Sequence, residues 1–143
     1  MPKGFGGPKA TGTMKNESDL VLVDSSGWVE FLGEGPLAGK FAPYFEREEN
    51  LLVPVIVLYE VYKKLLSAQG STTADRFLSA ALRMKIVPLD EHLALLSARI
   101  SLERRLAMAD AMIYATATVA GAHLVTSDAH FQGLPGVTVI AQI

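Results

Sequence analysis

Asp24, Glu60, Asp110 and Asp128 lie far apart in the chain, yet each stands among apolar or small neighbours. Asp24 follows the apolar run LVLV, Asp128 follows HLVTS, Asp110 opens an Ala-rich stretch, and Glu60 comes soon after LLVP. Carboxylates gathered in one place repel each other and raise one another's pKa values. A divalent cation removes that penalty, and hard cations prefer oxygen ligands. Such a cation can activate water against a phosphodiester. Taken together, the four acids point to a metal-dependent enzyme acting on phosphodiesters.

Each acid also has an ordinary explanation. Asp24 suits a turn or a helix cap, although Ser25 and Ser26 are candidate caps themselves. Glu60 has Lys64 four residues on, which suits a surface pair, although Val57, Leu58, Val61 and Tyr62 around it are apolar. Asp110 would serve as the N-cap of its helix, a role compatible with binding a metal, since a helix amino end favours an ionised carboxylate. Asp128 would suit a turn. Asp90 reads as a cap, and Glu30, Glu46, Glu48, Glu49 and Asp75 read as solvent-facing. His92, His123 and His130 lack HExxH-type spacing, which argues against zinc. His130, two residues past Asp128, fits a turn or packing role better than a substrate contact.

The elements that would position the acids can be read from periodicity. Residues 20–24 form a short apolar strand, and Gly33-Glu34-Gly35-Pro36 ends the helix after it. A second helix is expected over 37–48, with Leu37, Phe41, Tyr44 and Phe45 on one face. Residues 51–53 form a strand, and Pro54 opens a helix running to Gly70. Ser71 or Thr72 would cap the next helix, where Ala74, Phe77, Leu78, Ala81 and Leu82 keep helical spacing. A strand over 85–89, a helix over 91–104, a helix over 110–120 closed by Gly121, and strands over 123–126 and 137–140 complete the chain. Alternating strands and helices of this kind imply a parallel sheet covered on both faces, a three-layer α/β/α sandwich.

With 143 residues, half of them apolar and a fifth charged, the chain suits one globular domain. No apolar stretch is long enough to span a membrane. The lack of Cys excludes a disulfide framework and points to a reducing cytoplasm. The net charge of −2 argues against nucleic-acid binding by bulk charge, but the acid cluster would leave the rest of the chain net positive. Residues 1–18 are Gly-, Pro- and Lys-rich without the apolar core of a signal peptide, and read as a flexible leader ahead of a domain over 19–143. Gly35 to Lys40 is one residue short of a P-loop, and Gly33 to Ala38 follows a helix rather than the strand a dinucleotide fingerprint needs. There is no GxSxG elbow, and Ser26 occupies the second acid position of a DxD phosphatase motif, which disfavours that hydrolase class.

Four segments, VDSSGWVEFL, VLYEVYKKL, LAMADAMIYATA and LVTSDAHF, resemble in order and spacing the PIN-domain ribonucleases, especially the VapC-type toxins of toxin–antitoxin pairs. The resemblance extends over residues 20–143. It implies a PIN-like five-stranded parallel sheet and a site for Mg²⁺ or Mn²⁺, with Asp24, Glu60, Asp110 and Asp128 as the four acids. Asp24 and Asp110 are expected to hold the principal ion. Ser26 matches a small hydroxyl position near such sites, and Thr126 is expected to support it from behind. The resemblance further implies hydrolysis of RNA, transfer or ribosomal, by metal-activated water to leave a 5′-phosphate, together with a homodimer and a small antitoxin over the groove. Lys63 and Lys64 are candidate backbone contacts. The rival readings are an RNA-processing nuclease without an antitoxin and a non-catalytic PIN-like binding module.

Overall fold

A computed structural model describes residues 19–141; the expected leader over 1–18 lies outside them. Five short parallel strands form one sheet: β1 (Val21–Val23), β2 (Leu51–Pro54), β3 (Lys85–Val87), β4 (His123–Thr126) and β5 (Val137–Val139). Their order across the sheet is β3-β2-β1-β4-β5. The chain therefore runs outward from β1 through β2 to β3, then returns to place β4 on the other side of β1. Between them lie helices α1 (Ser25–Leu32), α2 (Ala38–Phe41), α3 (Val55–Gln69), α4 (Ser71–Ala81), α5 (Glu91–Arg104) and α6 (Met108–Ala120). Right-handed crossovers put the helices of the outward run on one face and α5 with α6 on the other. The three-layer sandwich with a five-stranded parallel sheet is as expected.

The central strands are apolar because both faces are covered. Leu22, Val23, Val53, Leu124 and Val125 are fully buried. On the α1 side, Trp28 meets Phe45 and Phe77 edge-on, with ring centroids 4.6 and 5.1 Å apart. Helix α3 buries Val57, Val61 and Leu65 at i, i+4 and i+8. Helix α4 buries Ala74, Phe77 and Ala81, while Leu82 stands exposed past its end.

The boundaries differ from expectation where Pro and Gly act locally. The helix expected over 37–48 ends at Phe41 and tightens into a 3₁₀ turn, Ala42–Phe45, because Pro43 has no N–H to continue the α-helical ladder. Gly70, at φ 90°, joins α3 directly to α4, and neither Ser71 nor Thr72 is the cap. Pro88 follows the shortened β3. Asp90 caps α5 as expected, accepting from Leu93 N at 2.9 Å. Glu30 is not simply solvent-facing: its carboxylate accepts from Leu37 N at 2.7 Å and lies against Gly35. Glu48 forms a two-point pair with Arg83, at 3.1 and 2.8 Å.

Gly27 sits where α1 crosses β1 and leaves no room for a side chain. A β-carbon there would meet Val23 Cγ1 and the Phe41 ring, both fully buried. Gly27→Ala should destabilise the fold by about 1–3 kcal/mol through overpacking, measured by urea denaturation.

Candidate active site

Asp24 directly follows β1 and is only 3% exposed. It, rather than Ser25 or Ser26, is the N-cap of α1, its side chain accepting from Gly27 N at 3.2 Å. The freed serines then face other partners. Ser26 Oγ donates to Asp24 Oδ1 at 2.6 Å and accepts from Ser127 N at 3.0 Å. Thr126 Oγ1 donates to Asp24 Oδ2 at 2.6 Å and accepts from Asp128 N at 2.9 Å. Two hydroxyls thus tie the buried carboxylate to the two amides that follow β4, and both commit their protons to Asp24. Burial pushes the Asp24 pKa up; the hydrogen bonds from Ser26, Thr126 and Gly27 oppose that rise, and the Asp128 charge adds to it.

Asp128 forms a turn after β4, accepting from His130 N at 2.9 Å. Asp110 lies in the first turn of α6 rather than capping it, since the helix starts two residues earlier, after Ala107. Ala111, Ala115 and Ala117 are buried, and their small side chains let α6 lie close to the structure beneath it. Asp110 is pushed up to about 6, first by desolvation, then by Asp128, with smaller contributions from Glu60 and Asp24; His130 opposes the shift. Glu60, half-buried on the second turn of α3, accepts from Ser25 Oγ at 2.9 Å. Among the described residues no ion pair joins it to Lys64.

All four acids therefore stand at the carboxyl end of the sheet, around the β1–β4 junction where the direction of winding reverses. Open α/β sheets bind ligands in the crevice at such a switch point. The tightest group is Asp110, Asp128 and His130, whose potential ligand atoms lie within 4.8 Å of one another. His130 Nδ1 is 3.1 Å from Asp128 Oδ1 and 3.7 Å from Asp110 Oδ2. Sequence reasoning gave His130 a turn or packing role and Ser25 a capping role. Only their two-residue and one-residue distances from Asp128 and Asp24 hinted otherwise.

The donor set suits a hard divalent cation. Carboxylate oxygens predominate, and the mutual charge that raises the Asp110 pKa is what a cation would neutralise. An ionised carboxylate offers about four lone-pair sites. Three donors occupy Asp24, which leaves about one for an ion. Exposure increases outward, with the Asp110 and Asp128 side chains at 20% and 31% and the His130 side chain at 77%. The site is thus closed at its floor and open at its rim.

A family model described as PIN domain matches residues 21–137. This chain belongs to the PIN-domain family. No curated protein matches it. Among solved structures, a toxin–antitoxin complex from Klebsiella pneumoniae shares 22% identity, covering 83% of this chain and 96% of its own, with a TM-score of 0.72. Mycobacterium tuberculosis VapC20, described as a sarcin–ricin-loop-cleaving toxin, shares 19% over 83% of this chain and 98% of its own, with a TM-score of 0.68. DNA-bound VapBC from Salmonella typhimurium shares 16% over 85% and 97%, with a TM-score of 0.66. At these identities the likeness is one of fold, and the PIN domain here has the same architecture as those chains.

The raised pKa values of Asp110 and Asp24 set a direction for stability without metal. Folding raises the Asp110 pKa from an unfolded value of about 4 to about 6. The folded chain then holds the proton more tightly, so stability falls as pH rises through that window. In EDTA, Tm should drop between about pH 4 and pH 6–7, and Asp110→Asn should flatten that drop. Thermal melts of both proteins across the range test this. An equal pH dependence in the variant would mean that Asp110 titrates normally.

Proposed function

We propose that this PIN domain is a Mg²⁺- or Mn²⁺-dependent endoribonuclease and the toxin of a toxin–antitoxin pair. The observation that carries the reading is the set of acids at the β1–β4 switch point, with Asp24 buried and clamped beneath Asp110 and Asp128. The solved structures with the same fold support the toxin part of the reading, since those named above include a toxin–antitoxin complex and a toxin.

In this reading Asp110, Asp128 and the free lone pair of Asp24 hold the cation, and Glu60 completes the site from α3. When bound, the cation lowers the pKa of water and offsets charge on the phosphate. The protein's own part is to orient and hold charge. Ser26 and Thr126 hold Asp24 in place and favour its ionised form against the cost of burial, and Thr126 also sets the start of the Asp128 turn. Glu60 is steadied by Ser25, so its carboxylate stays at the mouth of the crevice.

A small antitoxin and a second copy of the chain are the proposed protein partners. Exposed apolar residues on α3 and α5, among them Val55, Leu66, Leu95 and Leu102, supply surface for such contacts. No helix among the described residues is long and apolar enough to cross a membrane, and the Cys-free composition suits a cytoplasmic protein.

Purified protein should cut a pool of structured RNA in Mn²⁺ or Mg²⁺ and not in EDTA. Asp24→Asn and Asp110→Asn should each lower the rate by at least the roughly 10- to 100-fold that losing an outer partner of a metal ligand costs. Either cation should also raise the Tm of the parent and not that of Asp110→Asn. Cleavage that persists in both variants would mean a contaminating nuclease and would remove support for these acids.

A further inference from the structure

The acids are not alone at the rim of the site. His130 brings its imidazole to the two outermost of them, with Nδ1 3.1 Å from Asp128 Oδ1 and 3.7 Å from Asp110 Oδ2. We propose that His130 Nδ1 is itself a ligand of the cation, so that the site prefers a divalent transition-metal ion such as Mn²⁺ to Mg²⁺. This role deepens the nuclease reading and rests on it, since it concerns the cation that the reading requires.

The chain holds residue 130 from both sides. Phe131, next to it, is fully buried and anchors the short 3₁₀ turn Ala129–Phe131 in the core. Before it, Asp128 accepts two amides of the turn, His130 N at its carboxylate and Phe131 N at its carbonyl, at 2.9 and 3.2 Å. The backbone of His130 is thus fixed at the rim, and its ring reaches the acids by side-chain rotation alone. That side chain is 77% exposed, so packing does not force it inward. An exposed ion pair contributes little to stability and gives the ring a weak reason to stay.

A shared ion gives it a better one. Two donors that meet an ion at a right angle, each about 2.1 Å from it, stand roughly 3 Å apart. The distance from Nδ1 to Asp128 is of that size, and the distance to Asp110 is somewhat longer. The potential ligand atoms of all three residues lie within 4.8 Å of one another, so modest side-chain movement closes them on one ion.

An imidazole also suits the charge of the site. Asp24, Glu60, Asp110 and Asp128 already bring four carboxylates, and a fifth would add to their repulsion. A neutral nitrogen adds a donor and no charge. Its effect falls unevenly on the two cations, because Mg²⁺ takes oxygen ligands and keeps its waters, whereas imidazole suits first-row transition metals. The ligand set has no HExxH-type spacing because Asp128 and His130 share a turn while Asp110 comes from α6.

The test uses the full chain, free of any histidine tag and loaded with Mn²⁺. Pulsed electron paramagnetic resonance detects a nitrogen bonded to Mn²⁺ through its nuclear coupling, independently of turnover. The parent should show that coupling, and His130→Ala and His130→Asn should lose it. By titration calorimetry, His130→Ala should weaken Mn²⁺ binding by at least the roughly 10-fold that losing an outer partner of a ligand costs, with Mg²⁺ affected far less. His130→Asn places an amide group where Nδ1 stands, and its oxygen should keep both cations bound while narrowing the preference for Mn²⁺. Thermal melts of the metal-free variants check that these exposed substitutions leave the fold intact.

A Mn²⁺ complex of the parent without nitrogen coupling overturns the proposal, as does an unchanged ratio of the two affinities in His130→Ala. Either result would leave His130 as an ion-pair partner of the acids, and loss of binding in Asp110→Asn would keep the metal nuclease standing. A coupling that survives His130→Ala would come from His92 or His123 and overturns the proposal too. A parent that binds neither cation removes both the metal site and the role of His130. If the coupling depends on His130 and the Mn²⁺ protein cuts no RNA, the ligand stands and the nuclease reading falls.

Discussion

The buried carboxylate of Asp24 is the constraint on which the rest of the site depends. A charge held at 3% exposure is tolerated because three donors reach it. Two of them, Ser26 and Thr126, also accept from the backbone just after β4, so the charge ties the first strand to the fourth. Charge-assisted hydrogen bonds of this kind are roughly twice as strong as neutral ones. Loss of one hydroxyl would leave the carboxylate short of a donor and loosen the turn that aims Asp128. One network thus sets both the floor of the site and the direction of its next ligand.

Close approach has to be permitted before such a network can form. Gly27 lets α1 sit against Val23 and Phe41, which brings Ser25 and Ser26 over the end of β1. Alanines do the same for α6, so that Asp110 in its first turn falls within ligand distance of Asp128. Bulkier side chains at these positions would fill the same volume but hold the helix ends away from the sheet. Packing here spends its tolerance on the placement of four acids.

The cost is electrostatic. Asp110 is raised by burial and by three other acids, and His130 opposes that rise. A cluster arranged this way is less stable alone than with a cation, and its unfavourable charge is the source of its affinity for one. Function and stability are coupled through the same carboxylates, in a site that is buried at Asp24 and increasingly open toward His130.

Much of this was legible in the sequence. Strand β4 has the bounds its apolar run implied, and Asp90 caps α5 because Asp at that position satisfies a free amide. The four acids stood out because each broke an apolar or small-residue context. Errors arose where one residue changed the local geometry: Pro43 cut short a helix whose apolar spacing continued past it, and Asp24 took a cap that two serines had also fitted. Composition and periodicity thus determined most of the elements and the fold class, and singled out the four acids as candidates, because those patterns follow from forces acting over one or two turns. The tertiary structure alone decided that β4 lies beside β1, that Ser25 holds Glu60, and that His130 joins Asp110 and Asp128. Strand order and contacts across a hundred residues depend on how whole layers pack, and no local pattern of side chains encodes that choice.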